Sequence, residues 1–349
     1  MMKIIKTIYQ TVQGSKSMAS LAHKEMSTRL MTLLAPQGRP ATEIVPFTIL
    51  KDLQESMENL MEADWADMEM GLYPSSLLFT TSWRKWIQCY PLLCLDMPTT
   101  WNRRIRRNVT DLPNCINKSN YPNYYLQNFH NQTDGYLSDH SANLYDLQVE
   151  ILFNGMADAM RRRILPPLLF GLKHFKLQSP WQMKILDVGT GTGKALQQIN
   201  AALPHAQLIG LDLSAAYLQQ VKNSFEQDRK TIPQLVQANA ERIPFANNSI
   251  EGVSCVFLLH ELPTEVRQNV LNECFRVLKP SGILVLADSI QLAHSPQFRV
   301  IIENFRRIFH EPYYYDYISD DITAHIRAAG FERISEESHF LTRVWYATK

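Results

Sequence analysis

Residues Ile185–Lys194 read ILDVGTGTGK, and this stretch decides the fold. An apolar run ending at Val188 meets three glycines at alternate positions, Gly189, Gly191 and Gly193, before helix-forming residues begin at Lys194. A buried strand that turns sharply into a helix calls for glycine there, because glycine takes up left-handed backbone freely and lets a ligand come close to the main chain. The following helix offers unpaired N–H groups and the positive end of its dipole. The pattern predicts a strand–loop–helix unit for a nucleotide-type ligand. On its own the run also fits a tight turn with no ligand. Its spacing is GxGxG rather than GxGxxG, and an acid, Asp187, stands two residues before the first glycine.

Downstream of the loop, short β-branched or apolar runs alternate with helical stretches. The runs are KILDVG, QLIGLDL, PQLVQAN, IEGVSCVFLL and GILVLADS, and helical periodicity marks Lys194–Leu203, Ala215–Gln227 and Thr264–Leu278. Such alternation implies a parallel sheet covered on both faces. The end differs: Phe331–His339 and Thr342–Thr348 are two strand-like runs with a very short connection, which predicts an antiparallel hairpin at the sheet edge.

Upstream the texture is helical. Leu53, Met57, Leu60 and Met61 lie on one helical face within Lys51–Met70, and Tyr73-Pro74 ends that helix. Leu77–Leu95 reads as helical or irregular core, and Asp111–Tyr124 as an Asn- and Pro-rich loop. Asn143–Leu172 reads as one long helix that Pro166-Pro167 interrupts or ends. Gln37–Pro46, with two prolines and a glycine, reads as a linker. These signals divide the chain into an N-terminal segment 1–45 that is a candidate flexible arm, a mainly helical lid domain 46–145, and a sheet domain 146–349.

Composition bounds the rest. With 45% hydrophobic and 20% charged residues among 349, the chain is neither disordered nor low-complexity. A formal net charge of +1 argues against wholesale binding to nucleic acid. The five cysteines, at 89, 94, 115, 255 and 274, contain no CxxC pair. No metal site is therefore expected, and a reducing, cytoplasmic setting is the simple reading. No apolar run is long enough to span a membrane, so no integral membrane association is expected. Residues 1–24 hold four lysines and no acid. They read as an ordinary amphipathic helix, with organellar targeting as the alternative.

Two further elements refine the loop's ligand. Leu208–Leu213 (LIGLDL) is a strand ending in Asp212, about 20 residues past the loop, where a carboxylate can accept both hydroxyls of a ribose. Asn239, in QANAERIPF, follows a strand and precedes a turn, where it could bond an adenine amino group. The segments ILDVGTGTG, LIGLDLS, NAERIPF, FLLHEL and LKPSGILVLADS, in this order over residues 183–288, resemble the class I S-adenosylmethionine (SAM) dependent methyltransferases. Within that family they are most similar to the small-molecule group that includes ubiquinone/menaquinone-type enzymes. The resemblance implies an α/β fold: a Rossmann-like, seven-stranded, mostly parallel sheet with an antiparallel C-terminal edge hairpin, here joined to a mainly helical N-terminal domain. It implies SAM as cofactor. Asp187, Gly189, Thr190, Gly191 and Gly193 would hold its methionine part, Asp212 its ribose, and Leu213, Asn239, Ala240 and Phe257 would line its adenine and methyl sides. The family more often has Asp where this chain has Asn239.

His260, in VFLLHEL after the fourth strand, is the candidate general base. The region resembles the His-Asp segment of plant-type O-methyltransferases, with Glu261 in place of the Asp; a substrate-orienting or structural role is the alternative. The Asn/Asp-Pro-Pro-aromatic motif of enzymes that methylate base amines or glutamine is absent there. By the same resemblance the Tyr-rich stretch before the sheet forms a lid, with Tyr124, Tyr125, His130, Tyr136 and Tyr145 as candidates; an ordinary polar loop is the alternative. Phe305–Tyr317 would cap the pocket or fill an inter-domain core. The clusters Arg103–Arg107 and Arg161–Arg163 read as solvated faces, with an anionic small substrate as the further reading. The partner expected is thus a small-molecule acceptor, bearing a hydroxyl or a quinone-like carbon, and not nucleic acid. A homodimer is one alternative for the assembly. An RNA or protein methyltransferase and a non-catalytic SAM-binding protein are the rival functions.

Overall fold

The computed structural model describes residues 2–80, 83–178 and 182–349. Helix α1 (Met2–Leu34) is one continuous rod. Residues 1–45 were expected as a candidate flexible arm; instead α1 packs on the rest of the chain, with Tyr9, Lys16 and Ser20 fully buried. A single 3-10 turn at Pro36–Gly38 and an irregular stretch lead to α2 (Phe47–Glu69). Within Leu77–Leu95, residues 81 and 82 lie outside the described residues, and α3 runs over Trp83–Arg106. Three short 3-10 turns between residues 118 and 131 then carry the tyrosine-rich stretch.

The long helix expected over Asn143–Leu172 is three: α4 (Asp139–Leu152), α5 (Ala157–Arg162) and α6 (Leu165–Gly171). The break falls at Asn154 and Gly155, both left-handed at φ 52° and 79°. The proline pair does not break a helix. It sits in the first turn of α6, where a missing N–H costs nothing. Helix α7 (Lys173–Gln178) leads to the sheet.

The sheet elements follow as β1 (Lys184–Val188), α8 (Lys194–Ala202), β2 (Gln207–Asp212), α9 (Ala215–Gln227), β3 (Gln234–Gln237), β4 (Ile250–Val256), α10 (Thr264–Val277) and β5 (Leu278–Ser289). Helices α11 (Arg299–Ile308), α12 (Tyr314–Tyr317) and α13 (Ile322–Ala328) precede β6 (Glu332–His339) and β7 (Thr342–Thr348). The strand order is β3-β2-β1-β4-β5-β7-β6. Strands β1 to β5 are parallel, and β7 is antiparallel to both β5 and β6. The hairpin therefore inserts its second strand beside β5 and leaves β6 at the edge. Neighbouring residues of β1 feed opposite cores: Ile185 packs with α6 and α8, and Leu186 with the α10 side. This is the double-sided burial that the unbroken apolar runs require. Chain order reverses between β1 and β4, so a crevice opens beyond their carboxyl ends.

The arginine run of α5, expected as a solvated face, is buried. Arg162 makes a two-pronged contact with Asp64 of α2 at 2.7 and 2.6 Å. Arg163 pairs with Asp67, and Arg161 with Asp158 at 3.1 Å. Tyr9 of α1 and Tyr73 also donate to Asp64, at 2.6 and 2.7 Å. One carboxylate thus ties α1 and α2 to α5. Burial acts to raise the Asp64 pKa, but the Arg162 charge overcomes it and holds the carboxyl below its ordinary value. In the other cluster Arg103 is buried, donating to the Asn131 carbonyl at 2.8 Å and to Asp111, while Arg106 and Arg107 are exposed. No described helix is long and apolar enough to cross a membrane.

Candidate active site

The crevice is built from the ends of the strands. Gly189, Gly191 and Gly193 all take left-handed backbone, at φ 67°, 54° and 79°. A Cβ on Gly193 would sit 2.8 Å from Val221, and one on Gly189 2.9 Å from Leu258, whereas one on Gly191 would meet nothing within 4 Å. Gly193 is thus fixed by packing at the start of α8, and Gly191 faces open crevice. Gly189, Thr190 and Gly191 line it, as do Asp187, Asp212, Leu213, Asn239, Ala240 and Phe257. Tyr124, Tyr125, Tyr136 and Tyr145 close it from the lid side. Gly193, His130 and His260 are not among its walls.

Asp187 is almost wholly buried; its oxygens accept from Ser254 Oγ at 2.6 Å and Thr190 Oγ1 at 2.7 Å. Burial pushes its pKa up to about 6 against those hydrogen bonds. Asp212 closes β2 and accepts from the Gly191 and Ser214 N–H groups at 2.8 and 2.9 Å. Burial raises it too, to about 6. Ser214 caps α9. A carboxylate has about four lone-pair sites, so Asp212 keeps capacity for further donors. Asn239 caps the turn at Ala240–Arg242, accepting from the Glu241 N–H at 2.9 Å. Its side chain and Glu241 also receive Tyr124 Oη, at 3.4 and 2.9 Å. The tyrosine-rich stretch is therefore hydrogen-bonded to the same turn.

Tyr136 is the hub of an aromatic cluster. It stacks on Phe129 at 5.4 Å and meets Tyr145 and Tyr217 edge-on at 5.9 and 5.5 Å. Phe257, left-handed at φ 55°, stacks on Phe153 at 5.8 Å, with Arg161 over its ring at 6.0 Å. Phe129, Arg161, Thr192, Lys194, Tyr217 and Glu261 line the crevice and were not among the expected residues. Arg161 was quoted only as part of a charge run, Thr192, Lys194 and Glu261 lie within the quoted motifs without a site role, and no local motif marks Phe129 or Tyr217.

His260 stands one turn beyond β4. Its Nδ1 is 2.6 Å from Asp288 Oδ1 at the end of β5, which fixes the ring. Burial opposes protonation of His260, and Asp288 outweighs it, so its pKa is raised. The ring faces a second, smaller cavity of about 60 Å³, lined also by Tyr145, Phe257, Ser289, Phe305 and Tyr314. His130, expected in the lid over the cofactor, instead lines this cavity. It reaches it from strained left-handed backbone, at φ 55°. It also borders a third cavity of about 510 Å³ between α1, α3, α4 and the end of α11. Tyr145 lines all three. The Phe305–Tyr317 cluster both caps the small cavity and, through buried Tyr314 and Tyr317, fills core. The expectation that no metal site exists also meets a contrary geometry: His130, His260, Glu261 and Glu311 converge here. They come from three distant segments of the chain, so spacing could not reveal them.

A family model described as a methyltransferase domain matches residues 185–282. The chain is 30% identical over 152 residues to a demethylmenaquinone methyltransferase of Thermotoga maritima, covering 44% of this chain and 59% of that protein. It is 31% identical over 151 residues to the ubiquinone/menaquinone biosynthesis C-methyltransferase UbiE of Desulfotalea psychrophila, covering 43% and 56%. It is 30% identical over 160 residues to the O-methyltransferase rstn1 of Aspergillus nomiae, covering 46% and 68%. The chain spans less than two thirds of the length of the first two of these. The chain belongs to the class I SAM-dependent methyltransferases. The cofactor of that class is SAM, and the residues lining the crevice fit it: open backbone at Gly191, a carboxylate with free lone pairs at Asp212, and an aromatic wall.

Proposed function

We propose that this chain transfers the methyl group of SAM to a small-molecule acceptor carrying a hydroxyl or a quinone-like carbon. The observation that carries the reading is the adjacency of two cavities. The glycine-loop crevice and the cavity at His260 share Tyr145 and Phe257 as walls. The loop and Asp187 would hold the methionine part of the cofactor, Asp212 the ribose, and Leu213, Asn239 and Ala240 the adenine. The sulfonium methyl would then point toward the His260 cavity, and the large cavity beyond would take the body of the acceptor.

SAM brings its own leaving group, so the residues mainly align nucleophile, methyl carbon and sulfur, a contribution of about 7–11 kcal/mol at best. The tyrosine faces of the lid favour a sulfonium cation. A hydroxyl acceptor must lose its proton as the C–O bond forms. His260, oriented by Asp288, is the proposed base. The named activities of the relatives, at carbon in quinone biosynthesis and at oxygen, support both acceptor types. The test is transfer of labelled methyl from SAM to a panel of phenols, catechols and reduced quinones. Labelled product from one class, lost in Asp212→Ala, is expected. No product from a chain that binds SAM would favour a non-catalytic SAM-binding protein.

A further inference from the structure

His130, His260, Glu261 and Glu311 offer ligand atoms that all lie within 4.8 Å of one another. His130 Nδ1 is 3.2 Å from Glu311 Oε1, and its Nε2 is 3.7 Å from Glu261 Oε1. The Glu311 side chain has no solvent exposure, and among the described residues neither of its oxygens makes a hydrogen bond of good geometry, His130 being its near polar neighbour. A carboxylate taken out of water without hydrogen bonds is costly, and a second carboxylate beside it adds repulsion. No lysine or arginine lines the small cavity that His130 and His260 face; Arg161 and Lys194 line the crevice that Glu261 borders. The compensation left is a proton or a metal ion.

Two outer contacts favour the ion. Asp288 holds the His260 ring through Nδ1 at 2.6 Å, as carboxylates commonly hold metal-ligating imidazoles. Tyr136 donates to Glu261 and sets its carboxylate. We propose that His130, His260, Glu261 and Glu311 bind one divalent first-row transition-metal ion where the cofactor crevice meets the His260 cavity. Mixed imidazole and carboxylate donors suit Zn²⁺, Fe²⁺ or Mn²⁺ rather than Cu⁺, which prefers sulfur, or Ca²⁺, which takes oxygen throughout. Such ions keep or gain a position for an outside oxygen. An acceptor hydroxyl would bind there as its anion, its proton released to solvent, and the ion's charge would stabilise that anion beside the methyl group. In the ion-bound chain His260 is then a ligand, and the ion takes over the task of the base. The use made of the ion rests on the methyl-transfer reading; its binding does not.

The test strips the chain with a chelator and titrates it with Co²⁺, followed by visible absorption, and with Zn²⁺, followed by calorimetry. SAM binding is measured on the same samples. One ion per chain and Co²⁺ ligand-field bands are expected. Glu311→Gln and, as a second variant should that one fail to fold, His130→Gln should weaken Zn²⁺ binding by at least about 100-fold and abolish the bands, with SAM affinity retained. A wild-type chain that binds SAM yet takes up no Co²⁺, or uptake that neither variant alters, overturns the metal site and leaves the methyl-transfer reading standing. Metal uptake without SAM binding would support the site and strike the proposed function instead.

Discussion

Asp212 is the side chain on which the proposed cofactor site rests most. Its remaining lone pairs would receive two ribose hydroxyls, and hydrogen bonds to a charged group are worth about 1.5–3 kcal/mol each. Asp212→Ala should therefore weaken SAM binding by about 100-fold or more, read by calorimetry. Only the ionised carboxylate accepts both hydroxyls, and burial places its pKa at about 6. As pH falls through that value the free site protonates, so SAM affinity at pH 5 should be about 10-fold below that at pH 7. The glycines separate two roles. Gly193→Ala meets Val221 as well as a left-handed backbone and should lower stability. Gly191→Ala, with open space around it, should cost only about 1–2 kcal/mol of backbone strain but intrude on the cofactor. Thermal unfolding against SAM titration distinguishes the two. The glycines and Asp212 were legible because each acts within a few residues of a strand end. The meeting of His130 with Glu311 was not, because the two come from distant segments.

At the scale of elements, the helical cover is fastened through one carboxylate. Asp64→Ala would leave Arg162 buried without its partner, a loss of about 3–5 kcal/mol that denaturant unfolding would measure. Because Asp64 is held below its ordinary carboxyl value, its contribution is complete above the unfolded-state pKa near 4. It is lost as pH falls through the lower folded-state value, so the gap between wild type and Asp64→Ala should close only in strong acid. The strands and the helices between them could be read in the sequence, since two-sided burial writes unbroken apolar runs. The division of residues 139–171 into three helices could not. Leu144, Leu147 and Ile151 keep a helical period up to a break that depends on left-handed backbone at Asn154 and Gly155. The arginine run of α5 misled for a related reason: its counter-charges, Asp64 and Asp67, belong to α2.

For the molecule as a whole, the parallel sheet supplies the cofactor crevice and the N-terminal helices supply the walls of the large cavity, with Tyr145 of α4 where the cavities meet. Tyr145→Ala should weaken SAM binding modestly, since its ring also walls the crevice, while lowering methyl transfer by about 10- to 100-fold through lost alignment, seen as a fall in kcat greater than the rise in the cofactor's Kd. The sequence resembled a known family from β1 to β5, and the sheet follows that resemblance. Residues 1–140 carried no such signal, and the large cavity they help to form became visible only once folded. The account stands first on SAM occupying the crevice of β1 and β2. Calorimetric titration of the wild type and Asp212→Ala with S-adenosylhomocysteine tests that directly. One site per chain in the wild type, lost or weakened about 100-fold in the variant, is predicted. A folded wild-type chain that binds neither S-adenosylhomocysteine nor SAM would contradict it.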